Sequence, residues 1–128
     1  MGFLIHSVDD GHVPAFEYFP QNGMFIELGV AAIVRNNGIS PTGGTVKPTH
    51  ICMYQSNEPS NDYIPAIRAD SGIVFETTVS AAATSLKLGD KVTLNGDGTG
   101  VTATTTDGVA EIVYIGGTAA GSVVRVRF

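Results

Sequence analysis

His6, Asp9, Asp10 and His12 form the densest group of possible metal ligands in the chain. Imidazoles and carboxylates so close together suit a divalent ion, but ligands need a supporting shell to fix their geometry. This stretch has no sustained periodicity and offers no such shell, so neither a metal nor a cofactor is expected. Asn95-Gly96-Asp97-Gly98-Thr99-Gly100 invites comparison with a calcium loop or a phosphate cradle. A calcium loop of the helix–loop–helix type needs more carboxylates in register, a closing bidentate Glu and flanking helices. A phosphate loop ends in Gly-Lys-Ser/Thr and runs into a helix, whereas a Thr-rich strand follows here. Asn-Gly and Asp-Gly are strong hairpin signals, and a hairpin turn is the expectation. His50 and Cys52 would share a strand face, but no third group orients them as a base and a nucleophile; packing is their expected role.

Glu17, Glu27, Glu58, Glu76 and Glu111 each stand alone among apolar or Thr neighbours. A glycosidase needs two carboxylates facing one bond. The chain has no Trp and few aromatic residues to hold a sugar, so an enzyme is not expected. A different chemistry is offered by Phe16, Tyr18 and Phe19. Large rings on an extended segment either tuck onto their own domain or dock on another subunit, and the sequence leaves both open.

The elements that would position these groups read as strands. Residues 1–24 look like an extended arm, ordered by what it lies against. Residues 25–128 look like a β domain able to fold without that arm. Strands are expected over 25–34, 49–55, 63–68, 73–79, 91–94, 101–104, 109–115 and 122–128. Pro65 is expected to confine its strand to an edge or a strand start. Ile73, Phe75, Thr77 and Val79 alternate with Val74, Glu76 and Thr78, giving one core face. The final strand should turn Val124, Val126 and Phe128 inward and both arginines outward. Ala81-Ala82-Ala83 is the one plausible helical turn, too short to stand alone. Gly29–Val34 echoes Gly108–Val113, which is what two equivalent strands in two β halves would give, or coincidence in a Val/Ala/Gly-rich chain. Many short strands with turn signals between them mean an all-β fold, a small β-barrel or sandwich of short antiparallel strands with an extended N-terminal arm.

Composition narrows the function. The 128 residues suffice for one domain with a real core. Seven Lys and Arg against twelve Asp and Glu give a net charge of −5. The cations are scattered and make no basic run, so nucleic acid is not an expected partner. Cys52 is the single cysteine, which removes disulfide and cysteine-zinc frameworks. No signal peptide, transmembrane span or membrane partner is expected.

One ordered series of segments is more specific. Leu88-Gly89-Asp90-Lys91-Val92, Gly98-Thr99-Gly100-Val101-Thr102, Gly108-Val109-Ala110-Glu111-Ile112-Val113 and Val123-Val124-Arg125-Val126-Arg127-Phe128 follow Gly72-Ile73-Val74-Phe75-Glu76. This series resembles the small head decoration, or capsid cement, proteins of tailed phages and prophages, over about residues 24–128. The resemblance implies a structural virion subunit made in the host cytoplasm and placed on the capsid exterior. It would often be a homotrimer, and its N-terminal arm would contact the major capsid protein. Phe16, Tyr18 and Phe19 are then the expected capsid-contact residues. Two alternatives stand beside it: another virion component, such as a head fibre base or tail protein, and a carbohydrate-binding β module.

Overall fold

A computed structural model describes residues 2–20, 28–35, 37–53 and 63–128. Ten strands form in chain order: β1 (Leu4–Val8), β2 (Glu17–Pro20), β3 (Ala31–Arg35), β4 (Gly38–Pro41), β5 (His50–Cys52), β6 (Tyr63–Arg68), β7 (Ile73–Thr78), β8 (Lys91–Val92), β9 (Ala110–Ile115) and β10 (Val123–Arg127). They make two five-stranded antiparallel sheets, ordered β1-β7-β10-β9-β8 and β2-β6-β5-β3-β4. The described residues contain no helix, so none is long and apolar enough to cross a membrane. The fold is all-β and sandwich-like. Single backbone bridges, Gly44 to Leu94 and Val79 to Val101, tie its parts together without closing a barrel.

The strongest period-2 stretch follows its pattern except at Val74, which is buried on the opposite face. Ile73, Phe75, Thr77 and Val79 are all buried, while Glu76 and Thr78 on the opposite face stay partly open. On β10, Val124 and Val126 are buried and Phe128 packs against the same core. That strand is interior, hydrogen-bonded to β7 on one side and β9 on the other. The main core draws Ala31, Ile51 and Ile67 from the second sheet and Phe75, Ile112, Val124 and Val126 from the first.

Immediate neighbours of the second-sheet residues go the other way. Ala32, Cys52 and Ala66, with Ile39 and Ile64, build a second core. The unbroken pairs Ala31-Ala32, Ile51-Cys52 and Ala66-Ile67 are therefore what a sheet buried on both faces requires. Curvature lets such small side chains form a core: the outer strands β2 and β4 of this sheet come into contact with each other. Cys52 is fully buried and forms no disulfide, as a small apolar residue would be.

The N-terminal segment is extended, and what it lies against is its own chain. Strand β1 pairs with β7 at one edge of the first sheet, and β2 pairs with β6 at one edge of the second. Phe3 is fully buried, edge-on to Phe75 and Phe128 with ring centroids 6.5 and 5.4 Å away. A phenylalanine buried this completely contributes on the order of 3 kcal/mol. That burial makes the first residues part of the main core in the intact chain, which argues against a β domain that folds without them.

Local expectations also change: no strand forms over 101–104, where Val101 makes only single bridges to Val79 and Leu94. The 25–34 strand begins only at Ala31, because Leu28-Gly29 turn with Gly29 at φ 85°; residues 25–27 lie outside the described residues. Pro65 sits in β6, which has neighbours on both sides rather than at an edge. It is tolerated because β5 ends at Cys52, and the Pro65 carbonyl is met by the Met53 N–H at 2.8 Å. The Ala-rich turn is not helical. Its donors are used on segments distant in the chain, Ser80 N–H on the Val101 carbonyl and Ala83 N–H on the Thr118 carbonyl. The echoed segments become β3 and β9, which hold the same place, next to the short outer strand, in their respective sheets. Two equivalent halves would place them so.

Candidate functional site

Asn95–Gly100 forms the expected turn, closed by the Leu94–Val101 bridge. The Asn95 side-chain carbonyl accepts from the Thr99 and Gly100 amides at 3.0 and 3.1 Å. The Gly98 carbonyl accepts the Ala31 N–H at 2.9 Å, and a Cβ on Gly98 (φ 72°) would strike the Thr42 carbonyl. The glycines thus let the turn press against the second sheet, and its Asn95, Gly98, Thr99 and Gly100 amides are already spent. Asp97 accepts from the Thr99 hydroxyl at 2.7 Å, which holds its carboxyl below the usual range.

The histidine–aspartate group is likewise divided among protein partners. Asp9 takes both terminal nitrogens of Arg127, at 2.9 and 2.7 Å, and that guanidinium lowers its pKa. Asp10 accepts the His12 backbone N–H at 2.9 Å. Among the described residues no three His, Cys, Asp or Glu are placed to hold a metal ion. Of the glutamates, Glu76 pairs with Arg125 at 3.0 Å, whose guanidinium also lies 4.2 Å above the Tyr114 ring. Glu27 and Glu58 lie outside the described residues.

The aromatic residues divide by strand parity. Phe19 turns inward, half-buried against the second core, with its ring 4.8 Å from the His50 ring. Tyr18 faces the opposite way and is 62 % exposed; Phe16, one pleat period earlier, is 45 % exposed. Strand register adds a ring that the sequence reading did not single out. Tyr18 is opposite Pro65 and Pro20 is opposite Tyr63, so Tyr18 and the exposed Tyr63 are diagonal neighbours on one face. Only the pairing of β2 with β6 could reveal this, since the two tyrosines are far apart in the chain.

What holds that aromatic strand in place is a polar chain reaching across the sheet. Glu17 Oε1 lies 3.1 Å from His50 Nε2, and His50 Nδ1 lies 2.9 Å from Thr49 Oγ1. Val34 N–H donates to that same Thr49 oxygen at 3.3 Å. With a carboxylate at Nε2, that nitrogen carries the proton, and Nδ1 accepts from the threonine hydroxyl. Hydroxyl, imidazole and carboxylate have the connectivity of a hydrolase triad. Here, though, His50 is almost completely buried, and the Thr49 oxygen is committed to two partners. The geometry is that of a clamp between β2 and β5. The sequence reading paired His50 with Cys52 and missed its link to Glu17, which depends on the registers of β2 and β5 on the intervening strand β6.

No protein-family model matches this sequence, and comparison with curated proteins and with solved structures gave no match.

Proposed function

We propose that this chain is a structural virion protein, a capsid decoration subunit that binds the major capsid protein on the outside of a phage head and stabilises the shell. The observation that carries the reading is the set of exposed rings Phe16, Tyr18 and Tyr63, with Tyr18 on β2, Phe16 just before it and Tyr63 on the paired strand β6, and with β2 fixed by the Glu17–His50 clamp. Rings presented from a rigid element lose little entropy on docking, and a subunit binding a repeated lattice gains avidity from modest individual contacts. The ordered strand-and-turn series that resembles decoration proteins points the same way. In this reading the protein is not an enzyme, has no cofactor, assembles as a homotrimer, and engages neither nucleic acid nor membrane. Phe16 and Tyr18 are its capsid contacts, and Phe19 holds their strand.

The test is co-sedimentation of the purified protein with decoration-free phage heads. The wild-type chain is expected to co-sediment, and F16A/Y18A to lose roughly tenfold or more in occupancy, the scale of a lost aromatic anchor. Absence of wild-type binding, or full occupancy by a folded F16A/Y18A variant, overturns the proposal. Affinity for a glycan through the same rings would move the assignment to a carbohydrate-binding module.

A further inference from the structure

The cations look scattered in the sequence, yet the fold gathers three of the seven. Lys47, Lys91 and Arg127 line one cleft of about 320 Å³, with Glu111, Val109 and Phe128. Lys47 comes from the connection between β4 and β5, while the others come from the end of the first sheet. Register explains the row: Lys91 is opposite Glu111 on β9, and Glu111 is opposite Arg127 on β10. Gly108 keeps the floor of the cleft tight, because a Cβ there would strike the Lys91 carbonyl.

The cations are not equivalent. Arg127 is held by both oxygens of Asp9. Neither lysine has an ion-pair partner among the described residues; Lys91 has none even with Glu111 directly across the ladder. In a chain of net charge −5, two ammonium groups without ion-pair partners share this cleft with a single carboxylate, Glu111, and with the apolar side chains of Val109 and Phe128. Unpaired ammoniums bind compact oxyanions by charge-assisted hydrogen bonds, and the volume lies in the range of small-molecule sites. We propose that this cleft binds a small organic anion, with a carboxylate or phosphate between Lys47 and Lys91 and its apolar body against Val109 and Phe128. This site is separate from the aromatic face and does not depend on the decoration reading.

The test is an amide-shift titration of the full chain by two-dimensional NMR, with benzoate, inorganic phosphate and benzyl alcohol in parallel. Benzoate is expected to shift the amides of Lys91, Gly108, Val109 and Arg127 together and to bind more tightly than either comparison compound. Its affinity is expected to fall roughly tenfold in K47Q/K91Q, the equivalent of about 1.4 kcal/mol. E111Q, which removes the opposing carboxylate, is expected to tighten binding. Both variants alter cleft-lining surface side chains, and retention of the wild-type spectrum away from the cleft verifies their fold. No shifts, shifts away from the cleft, or undiminished affinity in K47Q/K91Q overturn the proposal. An equal response to benzyl alcohol removes its ionic half, and phosphate binding as tightly as benzoate removes its apolar half.

Discussion

His50 helps decide how the aromatic strand is held, because this buried ring touches β2 by both side-chain hydrogen bonding and ring packing. Truncation in H50A removes the ring beside Phe19 and leaves the Thr49 hydroxyl without its acceptor. The expected loss is about 2–4 kcal/mol, read as a lower denaturation midpoint at unchanged slope. E17Q keeps an acceptor for Nε2–H at a carboxylate that is 44 % exposed, so its cost is expected to stay below about 1 kcal/mol. Equal losses in the two variants would mean that charge, not packing and hydrogen bonding, holds the strand. A second effect at this scale concerns acid. Asp9 and Asp97 both titrate below the ordinary value of 3.8, through Arg127 and Thr99 respectively. A carboxyl with a depressed folded pKa contributes stability that is fully present above the unfolded value and lost as pH falls through the folded one. Stability is therefore expected to decline below about pH 4, and less steeply in D9N/D97N. Thermal unfolding of both chains from pH 7 downward checks this; parallel curves would contradict it.

At the level of elements, β1 ties the start of the chain to the core. Its pairing with β7 and the burial of Phe3 beside Phe75 and Phe128 join three distant parts of the sequence. F3A is expected to cost about 3–5 kcal/mol, as complete loss of a buried ring does. Deletion of residues 1–22 removes β1 and β2 together and is expected to abolish the cooperative unfolding transition. A truncated chain with a wild-type transition would show that both strands are merely draped on a self-sufficient domain. The same strands show why part of the fold was legible in the sequence and part was not. In β7 Phe75 and Thr77 alternate with Glu76 and Thr78, and in β10 Val124 and Val126 alternate with the two arginines, so each announces its core face. Strand β1 is five residues with a bulge between Ile5 and Ser7, which breaks the period. Local pattern cannot report that its partner lies far down the chain. Pro65 misled for a related reason: a missing donor matters only where a neighbouring strand would have needed it. The aromatic rings were visible as residues, but Tyr63 joins them only through register. The cationic cleft was invisible because Lys47, Lys91 and Arg127 meet only in three dimensions.

For the whole molecule, the edges determine what association the sandwich permits. Strands β2 and β4, at opposite ends of the second sheet, come into contact, and Leu94, two residues beyond β8, is bridged to Gly44. The outer side of β1 has no ladder partner among the described residues. Its bulge blunts continuous strand addition, so subunits meeting there would join through side chains such as Leu4, which is 40 % exposed. A closed ring of identical subunits repeats one such contact around an axis and leaves none unfilled. If the decoration reading holds, light scattering is expected to give about three times the 13.3 kDa of one chain. L4K places a charge in each copy of the contact without entering the core, and is expected to yield a folded monomer. A trimer unaffected by L4K would relocate the interface, with the aromatic face the next region to probe. A wild-type monomer at every concentration would refute the preformed trimer, and attachment to a shell would then rest on lattice avidity alone.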